Sequence, residues 1–104
     1  MKHKAHKIVI ITEKILTDKV IKLIDESGAT GYTITSAGGK GSRGVRSESR
    51  GSVGDNFANV KIEVILADEQ MARNIGNSVA AKYFDNYSGI TYLEPVEIVR
   101  PQKF

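Results

Sequence analysis

The sequence predicts an α+β domain of the ferredoxin-like split βαβ class, with elements in the order β-α-β-loop-β-α-β. Three observations carry this. The run Ile8-Val9-Ile10-Ile11 is continuously apolar and rich in β-branched residues, Val60 to Leu66 alternates apolar with polar, and each is followed by apolar residues at helical spacing. The length of 104 residues suits one domain, spanning 1–104, and no internal repeat exists beyond the two βαβ halves.

Taken in order, Lys7 to Thr12 reads as a strand in a sheet centre or covered on both faces. Leu16, Val20, Leu23 and Ile24 then recur at helical spacing, with Thr17 placed to cap the helix and Gly28 to end it. Gly31 to Ala37 alternates Tyr32, Ile34 and Ser36 against Thr33 and Thr35, which predicts a second strand. Val60, Ile62, Val64 and Leu66 give the clearest strand of the chain. Asp68 stands where an N-cap is wanted, and Ala72, Ile75, Val79 and Tyr83 form the stripe of a second helix. Asn86-Tyr87-Ser88-Gly89 turns into the strand Ile90-Thr91-Tyr92-Leu93; Pro95 is expected to interrupt it, leaving Val96 to Val99 as a short edge segment. One face of such a sheet is covered by the helices. The other needs a cover, which Tyr32, Ile34 and the Val60–Leu66 strand are expected to invite from further copies of the chain.

Between the second and third strands lies a loop of about residues 37–57 with a different composition. Six of the ten glycines and three of the five arginines fall between Gly38 and Gly54. This stretch has no helical or strand period and little to bury, so it is expected to be flexible until a ligand orders it.

Composition removes several function classes. Cysteine is absent, which excludes disulfides, thiolate metal sites and thiol nucleophiles. A net charge of +3 is low for a dedicated DNA-binding domain. The basic start, with His3 and His6 read as solvated on a frayed terminus, leads into too short an apolar run for a membrane span or signal peptide. A cytoplasmic location is expected.

Gly39-Lys40-Gly41-Ser42-Arg43-Gly44 has the spacing G-x-G-x-x-G, yet no helix opens after Gly44 to hold a pyrophosphate, so a dinucleotide fold is rejected. A Walker loop fails on its Gly-Lys-Ser/Thr spacing. The chemistry of the segment survives both rejections. Glycines let backbone N–H groups approach a phosphate, and arginine forks add charge-assisted bonds; the plain alternative is a polar loop with solvated arginines. Ser47 and Ser49 beside Arg46 and Arg50 could receive phosphate from a kinase. Glu13 and Lys14 could touch a ligand or merely end the first strand. No carboxylate pair, serine–histidine arrangement or metal constellation emerges, so an enzyme is not expected. An RNA-recognition reading of the topology lacks its aromatic motifs in Asn59-Val60-Lys61-Ile62-Glu63-Val64-Ile65.

A split βαβ domain with a long loop between its second and third strands resembles the PII signalling proteins, and the stretches Ile10-Ile11-Thr12-Glu13-Lys14-Ile15-Leu16, Ile24-Asp25-Glu26-Ser27-Gly28-Ala29, Gly31-Tyr32-Thr33, Gly38-Gly39-Lys40-Gly41-Ser42-Arg43, Val45-Arg46-Ser47 and Lys82-Tyr83-Phe84 leading to Tyr87-Ser88-Gly89-Ile90 carry the resemblance to one subgroup of them. The loop sequence in particular resembles the PII-like SbtB type of cyanobacterial bicarbonate uptake. This resemblance implies a homotrimer that binds cAMP, AMP, ADP and ATP in clefts between subunits. It further implies docking through the loop onto the sodium–bicarbonate symporter SbtA, at the inner face of the plasma membrane. Arg43 and Arg46 would hold the phosphates, with Lys40 and the backbone of Gly38, Gly39 and Gly41 nearby. Ser36 and Ala37 would flank the site at the loop base, Gly89 and Ile90 would line the adenine, and Asn59 and Lys61 are further candidates. No cofactor is required and no nucleic acid is implied, although a divalent cation could accompany ATP. The Cys-containing C-terminal extension of many such proteins has no counterpart here, so redox control is not carried over. A slow apyrase-like hydrolysis of ATP or ADP, and a basic RNA-binding module, stand as the alternatives.

Overall fold

The computed structural model describes residues 3–41, 44, 45 and 58–100. Strand β1 (His3–Glu13) passes through a 3-10 turn (Lys14–Leu16) into helix α1 (Thr17–Glu26). Strand β2 (Thr33–Ala37) follows, then two short strands, β3 (Lys40–Gly41) and β4 (Gly44–Val45). Strand β5 (Asn59–Leu66), helix α2 (Glu69–Tyr83) and strand β6 (Gly89–Ile98) complete the chain.

The main sheet runs β2-β5-β1-β6 with every neighbouring pair antiparallel. β1 and β2 are therefore parallel to each other with β5 inserted between them, which is the split βαβ arrangement the element order predicts. β3 and β4 pair separately, Lys40 with Val45 and Gly41 with Gly44. The stretch expected to lack any strand thus carries a minimal ladder of two residue pairs. The remaining loop positions, with Arg43, Arg46, Ser47, Ser49, Arg50 and the expectation of flexibility, lie outside the described residues.

Both helices lie on one face. Ile8 and Ile10 of β1 and Val60, Ile62, Val64 and Leu66 of β5 form a single core with Leu16, Val20, Ile24, Ala72, Ile75 and Val79. The register fixes what occupies the other face, because successive side chains alternate. Ile34 pairs with Ile62 and Ser36 with Val60, so both stand on the helix side. The helix-free face instead carries Thr33, Thr35 and Ala37 of β2, Asn59, Lys61, Glu63 and Ile65 of β5, alternate residues of β1 from Ala5 to Glu13, and Ile90, Tyr92 and Glu94 of β6. The expectation that Ile34 and the apolar residues of Val60–Leu66 supply this face is corrected by pleat parity: Val60, Ile62, Val64 and Leu66 pack against the helices, and of the apolar residues of β5 only Ile65 stands on the helix-free face. Ile34 nonetheless stays 41% exposed, since the main contacts of β2 run only to β5.

Three local expectations also change. Thr17 does not cap α1. Its hydroxyl donates to the Lys14 carbonyl (2.6 Å) and closes the preceding 3-10 turn instead, while Leu16 stands at the N-cap without a side-chain bond. Pro95 does not interrupt β6, which runs unbroken from Gly89 to Ile98; on an edge strand a residue lacking its N–H need break no ladder bond. His3 and His6 are not frayed but paired, opposite Ile98 and Pro95. Two caps stand as predicted. Gly28 takes a left-handed φ of 94° just past α1, and the Asp68 carboxylate accepts from the N–H groups of Gln70 (2.9 Å) and Met71 (3.4 Å).

Candidate functional site

The loop leaves and re-enters the sheet at one end, where Ala37 of β2 pairs with Asn59 of β5 and Asn59 pairs with Glu13 of β1. The next row across the sheet is Ser36, Val60, Thr12 and Gly89, and the one after is Thr35, Lys61, Ile11 and Ile90. Pairing therefore gathers Ser36, Ala37, Asn59, Lys61, Gly89 and Ile90 at the same end of the sheet. Gly38, Gly39, Lys40 and Gly41 follow directly from β2. Arg43 and Arg46 lie outside the described residues.

The same register separates these residues into two groups. Ser36 and Ala37 are on one edge strand, and Gly89 and Ile90 on the other, three strand spacings or about 14 Å away. Parity divides them again: Asn59, Lys61 and Ile90 stand on the helix-free face, and Ser36 and Gly89 on the helix side. One chain does not close these residues around a common ligand.

The Gly89 turn is built with more care than its sequence announces. The buried Thr12 hydroxyl donates to the Ser88 carbonyl (2.7 Å), and the Ser88 N–H donates to the Glu13 carboxylate (2.7 Å). Any Cβ at Gly89 would collide with the Phe84 ring, so only glycine lets the turn close on the end of α2. Just beyond it Ile90 is 52% exposed. Glu13 was legible as a possible ligand contact, but it holds backbone. Thr12 carried a weaker signal, as the lone hydroxyl in an aliphatic run. On the first turn after β1, the Lys14 N–H donates to the Ala58 carbonyl (2.8 Å), tying the loop's return to the same corner.

Along the helix-free face a charged chain crosses three positions. The Lys7 ammonium lies 3.0 Å from Glu94 and 3.3 Å from Glu63, and Lys61 reaches Glu63 at 3.8 Å. The hydrogen bonds that the Lys7 ammonium donates, to Glu94 first and then to Glu63, raise its pKa above the ordinary value. Asn59 differs from all these groups. It is 1% exposed, and neither its Nδ2 nor its Oδ1 has a hydrogen-bond partner.

Comparison with known proteins places this geometry. The family model described as Nitrogen regulatory protein P-II matches residues 5–103. A PII-like signalling protein from Thermus thermophilus is similar at 33% identity, with a TM-score of 0.77 over 99% of this chain and 97% of that one. CPII, a nitrogen regulatory PII-like protein from Thiomonas intermedia, shares the fold at lower identity. Its structure bound to ADP and bicarbonate superposes with a TM-score of 0.79 at 23% identity, covering 96% of this chain and 93% of that one. Its structure bound to ADP, AMP and bicarbonate gives 0.77 at 22%, covering 95% and 99%. No helix among the described residues is long and apolar enough to cross a membrane. With a split βαβ sheet, a glycine-rich loop between its second and third long strands, and a family match over nearly its whole length, the chain belongs to the PII family of nitrogen regulatory proteins.

Proposed function

We propose that this chain is an adenine-nucleotide-sensing regulator of the SbtB type, which binds cAMP, AMP, ADP or ATP and controls bicarbonate uptake through the SbtA symporter. One observation supports it most. The loop root and the Gly89–Ile90 turn share one end of the sheet but sit on opposite edges, so a neighbouring copy is needed to bring one against the other. A homotrimer meets that need and leaves the cleft between subunits as the nucleotide site.

In this reading Arg43 and Arg46 hold phosphate oxygens, with Lys40 and the backbone of Gly38, Gly39 and Gly41 beside them. Gly89 and Ile90 line the adenine, Ser36 and Ala37 flank the loop base, and Asn59 and Lys61 stand below it. The protein acts without catalysis. It works in the cytoplasm and is recruited to the inner membrane face by its partner. Bicarbonate is read as a second small ligand, because CPII structures hold it together with ADP and AMP.

Calorimetry with cAMP, AMP, ADP, ATP and a short RNA tests the reading. Each charge-assisted phosphate contact is worth about 1.5–3 kcal/mol, so Arg43→Ala or Arg46→Ala should weaken nucleotide binding about 10- to 150-fold. Adenosine binding should barely change. Wild-type affinity in Arg46→Ala overturns the phosphate assignment, and a monomer mass by light scattering at micromolar concentration overturns the intersubunit site. Steady phosphate release from ATP would show an enzyme instead.

A further inference from the structure

Among the described residues, the Asn59 carboxamide is the one buried side-chain amide left with both of its polar atoms unpartnered. Native proteins pair the large majority of such groups, because a buried donor or acceptor without a partner costs its whole desolvation; the only other such atom among the described residues is the single hydroxyl of Thr91. Asn59 leaves two of them at one point. Its position is equally unusual: it is the first residue of β5, and its pairs with Ala37 and Glu13 are the last pairs of two ladders at once. Ladder ends open at the lowest free energy, so this is where a small molecule reaches the sheet with least disruption.

The chemistry of the amide selects the molecule. Nδ2–H offers a donor and Oδ1 an acceptor, side by side and coplanar. The matching ligand is small and planar, with an O–H donor next to an acceptor oxygen. The charges nearby bound its net charge. Glu13 pairs with Asn59 in the ladder, its carboxylate engaged by the Ser88 N–H at 2.7 Å, and Lys61 follows two residues on along the same face, already shared with Glu63 at 3.8 Å. One negative and one partly neutralised positive neighbour admit a monoanion and disfavour a dianion.

We propose that Asn59 is a specificity-determining residue for bicarbonate. The bicarbonate O–H donates to Oδ1, and one of its other oxygens accepts from Nδ2–H. Acetate at neutral pH has no O–H and leaves Oδ1 unpaired; hydrogen phosphate has the O–H but carries a second charge beside Glu13. This deepens the reading of the protein as a bicarbonate-linked regulator by naming the group that distinguishes the ion.

The experiment follows the Asn59 side-chain amide resonances in ¹⁵N-labelled protein at constant ionic strength and a constant, mildly alkaline pH at which phosphate is mainly the hydrogen phosphate dianion, without nucleotide, as sodium bicarbonate, acetate or phosphate is added. Asn59→Leu identifies the signals by their loss. Bicarbonate should move them saturably, and acetate and phosphate should shift them at least tenfold less. In Asn59→Leu, which buries no orphan amide and should melt no lower than wild type, backbone signals around residues 37 and 59 should stop responding to bicarbonate. Equal responses to acetate or phosphate overturn the proposal. So do signals that ignore bicarbonate, or that follow protein dilution alone, which would make a second copy the partner. Nucleotide binding is measured separately, so its absence would remove the adenine reading while this test still reads bicarbonate directly.

Discussion

The two faces of the sheet are built from the same strands, yet they solve different problems. On the helix side Ile8, Ile10, Val60, Ile62 and Val64 are buried against α1 and α2, and the face is complete within one chain. On the helix-free side Val9 and Ala5 are buried, but Ile90 and Tyr92 are 52% and 41% exposed, four charged groups form a chain across three strands, and Asn59 lacks partners. The comparison teaches that one face closes a single core against the helices while the other leaves large apolar and charged groups at the surface, one residue apart along every strand.

The largest expected effect breaks the self-sufficient face. Ile62→Ala should cost about 2–5 kcal/mol in urea unfolding, because it removes buried methyl groups and leaves a cavity between β5 and the helices. Ile65→Ala, on the same strand but the half-buried opposite side, should cost under half as much. If the two cost the same, the faces are not energetically distinct.

Next comes the corner that joins the faces. Gly89→Ala should lose about 1–3 kcal/mol, since the new methyl meets the Phe84 ring and must displace it. Thermal unfolding reads this directly, and a neutral result would mean that Phe84 repacks freely. Asn59→Leu sharpens the contrast with the opposite sign. It should gain about 1 kcal/mol in denaturant unfolding, because an apolar side chain has no buried donor and acceptor to leave unpaired. A clear loss would show that the amide finds partners in solution.

The smallest effect belongs to the charged chain. Lys7 is held by Glu94 and Glu63 and its folded pKa is raised, so its contribution is fully present below the unfolded value of 10.5 and is lost as pH rises through the folded one. Lys7→Met should change stability by no more than about 1 kcal/mol at neutral pH, and should flatten the decline in melting temperature above about pH 10. An unchanged alkaline profile would assign that decline to other groups.

Much of the helix-covered face was legible because it depends on periods within a single segment. Val60 to Leu66 alternates, Ala72 to Val79 repeats at helical spacing, and Asp68 and Gly28 punctuate the helices, all by interactions within a few residues. The loop also stood out by composition, and with it the loop-root candidates Ser36 to Gly41. The helix-free face was misread for a physical reason. Alternation shows that a strand has two faces, but not which one meets a helix or what lies opposite. Ile34 looks like a candidate for an outer face until its pairing with Ile62 puts it on the inner side. Pro95 looks like a break until β6 is known to be an edge.

Sequence by itself therefore determined the order of the six main elements, the caps at Gly28 and Asp68, the glycine-rich stretch and the membership of the PII family, because each is written in residue types and spacings along the chain. Tertiary structure alone decided that Thr12 and Glu13 reach 76 and 75 residues ahead to hold Ser88. It also decided that the loop root and Gly89 fall on opposite edges, and that Asn59 is sealed in without partners. Those features arise from pairings between distant strands. A polar residue in a sequence carries no record of whether the fold will bring it a partner or leave it waiting for one.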